Sequence, residues 1–295
     1  MRGWLSSVIV IALLALAPAA RAADCPQAEI SSTASRLQDA RNALMLLAPG
    51  KDQETAIPRQ TQSAIADLKA RLAEFILAYM RCQSENADVE GIEVDLSRLG
   101  WARSLEPGRV YRNDEMPPHA LDPGWSLSFE TRPLGQGLIG ITATFGIPCG
   151  GDTMLMIFQH SDEGWSEIMR VSSPPYRDVA GSYQAFDYAI SPPDSDGDWF
   201  LVEKHLPTSC ISTLSGIAYS VLRPAANPLR PKVLFTGHGS LSWADEDFGR
   251  LSVGADYFEI RFHDFDSDTN LVEIVRRYSV AGQTVAPVRN PGWPR

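Results

Sequence analysis

Basic charge, long hydrophobic runs and catalytic motifs are all scarce in this chain of 295 residues. Its 36 acidic residues outnumber its 26 basic residues, and the formal net charge is −10. Because binding to nucleic-acid phosphates requires a basic surface, this balance argues against a nucleic-acid partner. Apolar residues make up 44% of the chain. That fraction is enough to build a packed core, and it excludes an intrinsically disordered chain.

Motifs of the common hydrolases are absent from the sequence. It contains neither a G-x-S-x-G nucleophile elbow nor an H-E-x-x-H zinc helix. It also lacks a C-x-x-C pair, so no structural zinc site is indicated. Carboxylates paired for glycosidic chemistry cannot be selected among the 36 acids, because the deciding separation is spatial. The sequence assigns no catalytic residue and favours a role without catalysis.

Residues 1–22 have the pattern of a secretory signal peptide. Arg2 supplies the positive start, Leu5–Leu16 is an apolar run broken only by two serines, and Ala20–Ala22 is a small-x-small cleavage signal. The run is shorter than the ~20 residues that span a bilayer, so we favour cleavage before Ala23 over a retained anchor helix. Cleavage changes the net charge to −12. We expect an acidic, soluble protein that is secreted or periplasmic, with no membrane span.

Two helices are predicted to form an N-terminal hairpin over residues 23–90. The first covers about residues 29–48, Pro49–Gly50 breaks it, and the second starts near Pro58. Helices joined by a short polar loop usually fold back antiparallel. The apolar positions with helical spacing are Ala34, Leu37, Leu44 and Leu47 in the first helix, and Ile65, Leu68, Leu72, Phe75, Ile76 and Tyr79 in the second.

An even number of cysteines in an exported chain predicts disulfides. The four are Cys25, Cys82, Cys149 and Cys210, and three pairings are possible. Cys25 precedes the hairpin loop by about as many residues as Cys82 follows it, so the two lie at the same height in an antiparallel pair. We therefore predict Cys25–Cys82 and Cys149–Cys210. The alternative is free, buried thiols.

Beyond Arg103 the pattern changes to short alternating strands, which predicts an all-β domain over residues 107–295. A linker at residues 91–106 is predicted to precede it, with one helical turn near Val94–Arg98. A three-strand unit recurs three times, which favours antiparallel meander sheets in a small propeller or a two-sheet sandwich. The predicted strands are Trp125–Thr131, Leu138–Phe145, Met154–His160, Trp165–Val171, Tyr183–Ile190, Trp199–His205, Ile217–Leu222, Lys232–Thr236, Leu251–Val253, Tyr257–His263, Leu271–Tyr278 and Thr284–Val288.

Two acidic turns offer alternating oxygen ligands of the kind that calcium uses. Neither matches the EF-hand pattern, and the competing interpretation is a solvated turn in which Asp and Ser bond their own backbone. We predict no cofactor for this chain, and calcium bound at these turns is the alternative. Its candidate ligands are Asp194, Asp196 and Asp198 in one turn, and Asp264, Asp266 and Asp268 in the other.

Histidines and glycine-flanked residues give further weak candidates. His160, His205 and His263 each end a predicted strand, so they are either a rim that binds metal or senses pH, or ordinary strand-end residues. The remaining histidines are His119 and His238. Gly237–Ser240 offers His238 as a base, although a strand-end turn is favoured. Cys149–Asp152 resembles a nucleophile turn only if the Cys149 thiol is free, and the disulfide is favoured.

Tryptophans stand at strand starts or turns, at positions 125, 165, 199 and 243. Core packing is their default role, and stacking on sugar rings is the alternative.

Together these patterns lead us to expect a non-catalytic binding or assembly module of the cell envelope, with a protein or glycan as partner. One alternative is an envelope hydrolase that uses paired carboxylates. Another is a calcium-dependent adhesion module.

Overall fold

The computed structural model describes residue 25 and residues 27–47, 56–100, 123–208, 214–242, 249–265 and 270–288. Several predictions concern residues outside these ranges, namely the signal peptide, His119, Cys210, Trp243, Asp266 and Asp268. No helix within the described ranges is long and apolar enough to cross a membrane.

The predicted helix pair is confirmed as α1 (Gln27–Leu46) and α2 (Arg59–Met80). Their apolar positions point inward: Leu37, Leu68 and Leu72 are completely buried. The predicted Cys25–Cys82 disulfide is also confirmed, and it joins the start of α1 to the end of α2 with a Cα–Cα distance of 5.0 Å. The two helices therefore run antiparallel and are covalently closed at their open end.

A third helix, α3 (Val89–Leu99), replaces the single turn predicted near Val94–Arg98. Asp88 caps it by accepting a hydrogen bond from the N–H of Gly91 at 3.2 Å. The helix buries Ile92 and Leu96 against the rest of the chain, and this burial extends it beyond one turn. α3 spans the predicted junction between residues 90 and 91, and the division of the chain into domains stays a prediction.

Twelve strands follow in the described ranges, one for each strand predicted from the sequence. They form three four-stranded antiparallel sheets, each a meander of consecutive strands, so each predicted three-strand unit falls within one sheet. Sheet 1 contains β1 (Leu127–Gly135), β2 (Leu138–Ile147), β3 (Gly150–Ser161) and β4 (Gly164–Ser172); sheet 2 contains β5 (Ala185–Ile190), β6 (Leu201–Leu206), β7 (Leu214–Arg223) and β8 (Lys232–Ser242); sheet 3 contains β9 (Arg250–Val253), β10 (Tyr257–Phe265), β11 (Leu271–Ala281) and β12 (Thr284–Pro287).

The helices and sheets stack as layers with three hydrophobic clusters between them. The first cluster joins the helices to one face of sheet 1, through residues such as Phe75 and Phe129. The second joins the other face of sheet 1 to sheet 2, and the third joins sheet 2 to sheet 3. The described strands form no closed barrel. The packing is that of a sandwich, extended from the two predicted sheets to three.

Buried Arg41 on α1 ties the helix layer to the chain entering sheet 1. Its guanidinium donates to the carbonyls of Gly100, Gly124 and Trp125 at 3.4, 3.1 and 2.8 Å. On α3, the Glu93 carboxylate accepts from the backbone N–H of Thr131 in β1 at 2.9 Å. These bonds cover the edge of β1 and fix the helices on sheet 1.

Candidate binding site

A polar cluster lies where α2 meets sheet 1. Lys69 of α2 donates to the Asp152 carboxylate of β3 at 3.0 Å. It also donates to the backbone carbonyl and the hydroxyl of Ser173, just after β4, at 3.0 and 2.5 Å. The three hydrogens of the ammonium therefore have three acceptors.

The Asp152 carboxylate is the centre of this cluster and is completely buried. One oxygen accepts from the backbone N–H groups of Thr153 and Tyr183, each at 3.0 Å. The other accepts from Lys69, and the Ser173 hydroxyl lies within 3.1 Å of both oxygens. Four donors thus occupy the roughly four acceptor positions of a carboxylate, so Asp152 has no position left for a ligand.

Burial also controls the ionisation of the cluster. Desolvation lowers the pKa of Lys69, and the Asp152 carboxylate opposes that shift. The ammonium lies 5.7 Å from the centre of the Tyr176 ring, within cation–π range. Burial raises the pKa of Tyr176, and the Asp152 charge adds to the shift. The Tyr176 hydroxyl has no hydrogen-bond partner among the described residues.

A pocket of about 230 Å³ opens above this cluster. One wall belongs to the first half of α2, and the opposite wall is the segment 173–176 after β4. Its two prolines favour an extended backbone for the residues that precede them. Lys69 and Ser173 form the polar floor. The lining residues are Gln62, Ile65, Ala66, Lys69, Ser173, Pro174, Pro175 and Tyr176. The pocket is concave, mostly apolar and formed without a ligand, as small binding sites usually are.

The surroundings of Ser173 bear on whether its hydroxyl could act as a nucleophile. A nucleophilic serine needs a base that can accept its proton and a hydroxyl oxygen that a substrate can reach. The Ser173 hydroxyl accepts from Lys69 and donates to Asp152, whose acceptor positions are filled. Ser173 itself is 5% exposed. Lys69, Asp152 and Ser173 therefore fix the floor of the pocket, because each of the three is hydrogen-bonded to the other two.

A second pocket, of about 370 Å³, lies between α1 and the end of α3. Ser31, Ser35, Gln38 and Asp39 line it from α1, and Leu99 lines it from α3. Neither of these two pockets is lined by a pair of carboxylates. The paired-carboxylate hydrolase receives no support from them.

The first acidic turn is held together by its own bonds. The Asp194 carboxylate accepts from the N–H groups of Asp196 and Asp198 at 3.0 Å. Arg223 donates to Asp198 at 2.6 Å. No group of three acidic, histidine or cysteine residues in the described part of the chain could hold a metal ion. Asp264 is described, but its predicted co-ligands are not, so the second calcium turn stays a prediction.

The strand-end histidines have separate surroundings. His160 packs edge-on against Trp165, with ring centroids 5.1 Å apart. His205 is 2.9 Å from the buried Glu203 carboxylate and stacks on Tyr183 at 3.9 Å. His160 in β3 therefore lies within sheet 1, and His205 in β6 lies within sheet 2.

The glycine-flanked His238 lies inside a strand, so the favoured strand-end turn is wrong. Gly237–Ser240 is part of β8. A side chain at Gly237 would overlap the Tyr219 ring, and one at Gly239 would overlap Phe262. The glycines make room for these aromatic rings, and the sequence pattern alone does not distinguish that role from a turn.

Cys149 is disulfide-bonded, and no described cysteine is free. The nucleophile interpretation of Cys149–Asp152 is therefore wrong for this structure, because an oxidised cysteine cannot attack. Cys210 lies outside the described residues, so the Cys149–Cys210 pairing stays a prediction.

Two tryptophans pack inside the molecule, which is their default role. Trp165 is buried between the helices and sheet 1 and donates to the carbonyl of Ser84 at 3.0 Å. Trp199 is half-buried against the cluster between sheets 1 and 2. Trp125 is half-buried, and its carbonyl accepts from Arg41.

Sequence reasoning missed Lys69, Ser173 and Tyr176, and it noted Asp152 only as part of a turn. A signal existed for two of them. Lys69 follows Ile65 by four residues and precedes Leu72 by three, at the edge of the α2 apolar stripe. Asp152 lies near the start of β3, a strand in which Met154–Phe158 are apolar and buried. A charge at each of these positions requires a partner.

Comparisons with known proteins leave this site unassigned. No family model matches the sequence, and no curated protein matches it. Among solved structures, the chain is similar to one described as a putative exo-beta-1,3-galactanase from Bifidobacterium bifidum s17. The identity is 8% and the TM-score 0.20, and the match covers 57% of this chain and 73% of that one.

Proposed function

We propose that this protein is an exported, non-catalytic binding module of the cell envelope, and that the pocket between α2 and Pro174–Tyr176 is its recognition site. The observation that carries the proposal is the saturated floor of the pocket. Lys69, Asp152 and Ser173 satisfy one another, so the floor has a fixed shape before any partner arrives. Sites formed in advance lose less conformational freedom on binding.

The walls of the pocket are fixed by the same contacts. The Lys69–Asp152 ion pair joins α2 to sheet 1. The segment beyond Tyr176 is fixed by a backbone bond from Ile57 to Arg177 at 2.8 Å and by the bridge between Ala56 and Asp178. Both walls therefore depend on long-range contacts, and a partner meets two preformed surfaces.

Export is supported by the signal-peptide pattern of residues 1–22 and by the cysteine chemistry. Disulfides persist in oxidising compartments and are rare in the cytosol. Cys25 and Cys82 are joined, and Cys149 is oxidised. A secreted or periplasmic location agrees with both observations.

Pocket blockade tests this function. Ala66 is exposed and lines the pocket, so Ala66→Trp fills it without disturbing the core. Ala43→Trp places the same side chain on an exposed position of α1 as the matched control. We expect material from the native envelope to copurify with the wild type and with Ala43→Trp, and to be lost with Ala66→Trp. Equal capture by all three proteins would overturn the assignment of the site.

A further inference from the structure

We infer that the pocket accepts an uncharged, apolar side chain carried by an extended polypeptide, which pairs with the backbone of Pro174–Tyr176. This inference rests on the proposed function and adds the chemical class of the ligand. Its two supports are the saturation of the polar floor and the unpaired backbone along one wall.

The group that enters the pocket must be apolar and uncharged. Ile65, Ala66, Pro174, Pro175 and the Tyr176 ring supply most of the lining. The Lys69 ammonium already has three acceptors, and the Asp152 carboxylate has four donors. A charged ligand group would therefore lose its water without gaining a partner from Lys69 or Asp152.

The rim of the pocket favours a polypeptide over a plain hydrocarbon. Residues 173–176 are outside the strands. Within the described chain, the carbonyls of Pro174 and Pro175 and the N–H of Tyr176 form no hydrogen bond. In an extended segment the carbonyl of Pro174 and the N–H of Tyr176 point to the same edge, while the carbonyl of Pro175 points to the other. The shared edge therefore offers one acceptor and one donor with which a second extended strand can pair. An acyl chain has no N–H or carbonyl groups along its length to complete that pairing.

The length of the pocket fits a short peptide segment. Gln62 and Lys69 mark its two ends on α2, seven residues apart, which is about 10 Å along a helix. Three residues of extended chain cover roughly the same distance. One apolar side chain then enters the pocket, and its neighbours on the peptide point away from it, because strand side chains alternate.

The mature full-length protein, labelled with ¹⁵N, allows a direct test by NMR titration. The probes are N-acetyl-leucine N-methylamide, decanoate and N-acetyl-lysine N-methylamide with a free side-chain amine. We expect the leucine probe to shift the backbone amides of Ala66 and Tyr176 with saturation. The cationic probe should shift them at least tenfold less at equal concentration. Ala66→Trp should abolish the leucine response, while Ala43→Trp retains it.

The outcomes separate this inference from the proposed function. Shifts by decanoate without shifts by the leucine probe would overturn the peptide assignment and leave a binding pocket for acyl chains. Equal responses to the leucine and lysine probes would overturn the requirement for an uncharged group. No response to any probe would also overturn the inference, while envelope capture blocked by Ala66→Trp would still support the proposed function. If Ala66→Trp loses the dispersed spectrum of the folded protein, Ala66→Phe replaces it.

Discussion

Lys69 and Asp152 form an ion pair of 3.0 Å in which the carboxylate is completely buried and the lysine side chain is 13% exposed. The pair joins α2 to β3 and supports the floor of the proposed binding pocket. Removing one partner from a buried ion pair leaves the other charge buried without compensation, whereas removing both partners leaves no buried charge. The pair therefore offers a sharp test of the site.

A double-mutant cycle measures this coupling. Lys69→Met should lower the free energy of unfolding by about 3–5 kcal/mol, because the buried Asp152 charge loses its cation. Asp152→Asn should also destabilise, because the new amide nitrogen faces the ammonium, although the remaining carbonyl keeps the Thr153 and Tyr183 bonds. The double variant should be more stable than the sum of the single losses predicts, by about 1–3 kcal/mol. Urea unfolding provides the three values.

The exposed pair Arg98–Asp95 on α3 is the control for that cycle. Its side chains are 69% and 43% exposed, and exposed pairs couple by about 0–1 kcal/mol. A coupling between Lys69 and Asp152 no larger than that of the control would contradict the role assigned to the buried pair.

The ionisation of Lys69 should make the free energy of unfolding rise with pH in the alkaline range. Burial holds the pKa of Lys69 below its ordinary value of 10.5, so between the lowered value and 10.5 the unfolded chain binds more protons at this site. Stability therefore rises with pH across that window. The free energy of unfolding of the wild type, minus that of Lys69→Met, should increase as pH approaches 10.5. A difference that falls with rising pH would mean that the native state stabilises the ammonium.

Contact between sheets 1 and 2 depends on the absence of a side chain at Gly140. The Tyr188 hydroxyl of β5 rests against Gly140 of β2, and an added Cβ would overlap it. Gly140→Ala should destabilise by about 1–3 kcal/mol. Tyr188→Phe removes that hydroxyl, which is buried and without a partner among the described residues, and should restore most of the loss. Failure of Tyr188→Phe to rescue Gly140→Ala in urea unfolding would contradict this packing.

The Cys25–Cys82 disulfide should contribute about 4 kcal/mol, because it closes a loop with a sequence separation of 57 residues. Replacing both cysteines with alanine should lower stability by about that amount and speed amide hydrogen exchange in α1. Amides of sheet 3 should be unaffected beyond the global change. Equal acceleration in sheet 3 and α1 would show that the crosslink does not act locally on the hairpin.

The sequence was sufficient to predict elements governed by local periodicity. The α1–α2 pair, the twelve strands and the Cys25–Cys82 bridge follow from apolar spacing, turn residues and helical rise. α3 was underestimated because its burial of Ile92 and Leu96 depends on contacts with the rest of the chain. The sequence did not predict that three sheets stack, because strand alternation does not specify which sheets pack against each other.

The candidate site was not predictable in the same way. Asp152 lies 83 residues beyond Lys69 in the sequence, and Ser173 lies 104 residues beyond it. No motif spacing links them, and only the packing of α2 on sheet 1 brings them together. In contrast, the acidic turn at Asp194 is conspicuous in sequence, yet its carboxylate serves its own backbone.

Site-specific photo-crosslinking in intact cells tests the central claim most directly. A benzoylphenylalanine at position 66 lies in the pocket, and one at position 43 lies on the exposed side of α1. Our account predicts an ultraviolet-dependent adduct with a discrete polypeptide of the cell envelope from position 66 and none from position 43. The absence of an adduct at position 66, or the same adduct from both positions, would contradict it.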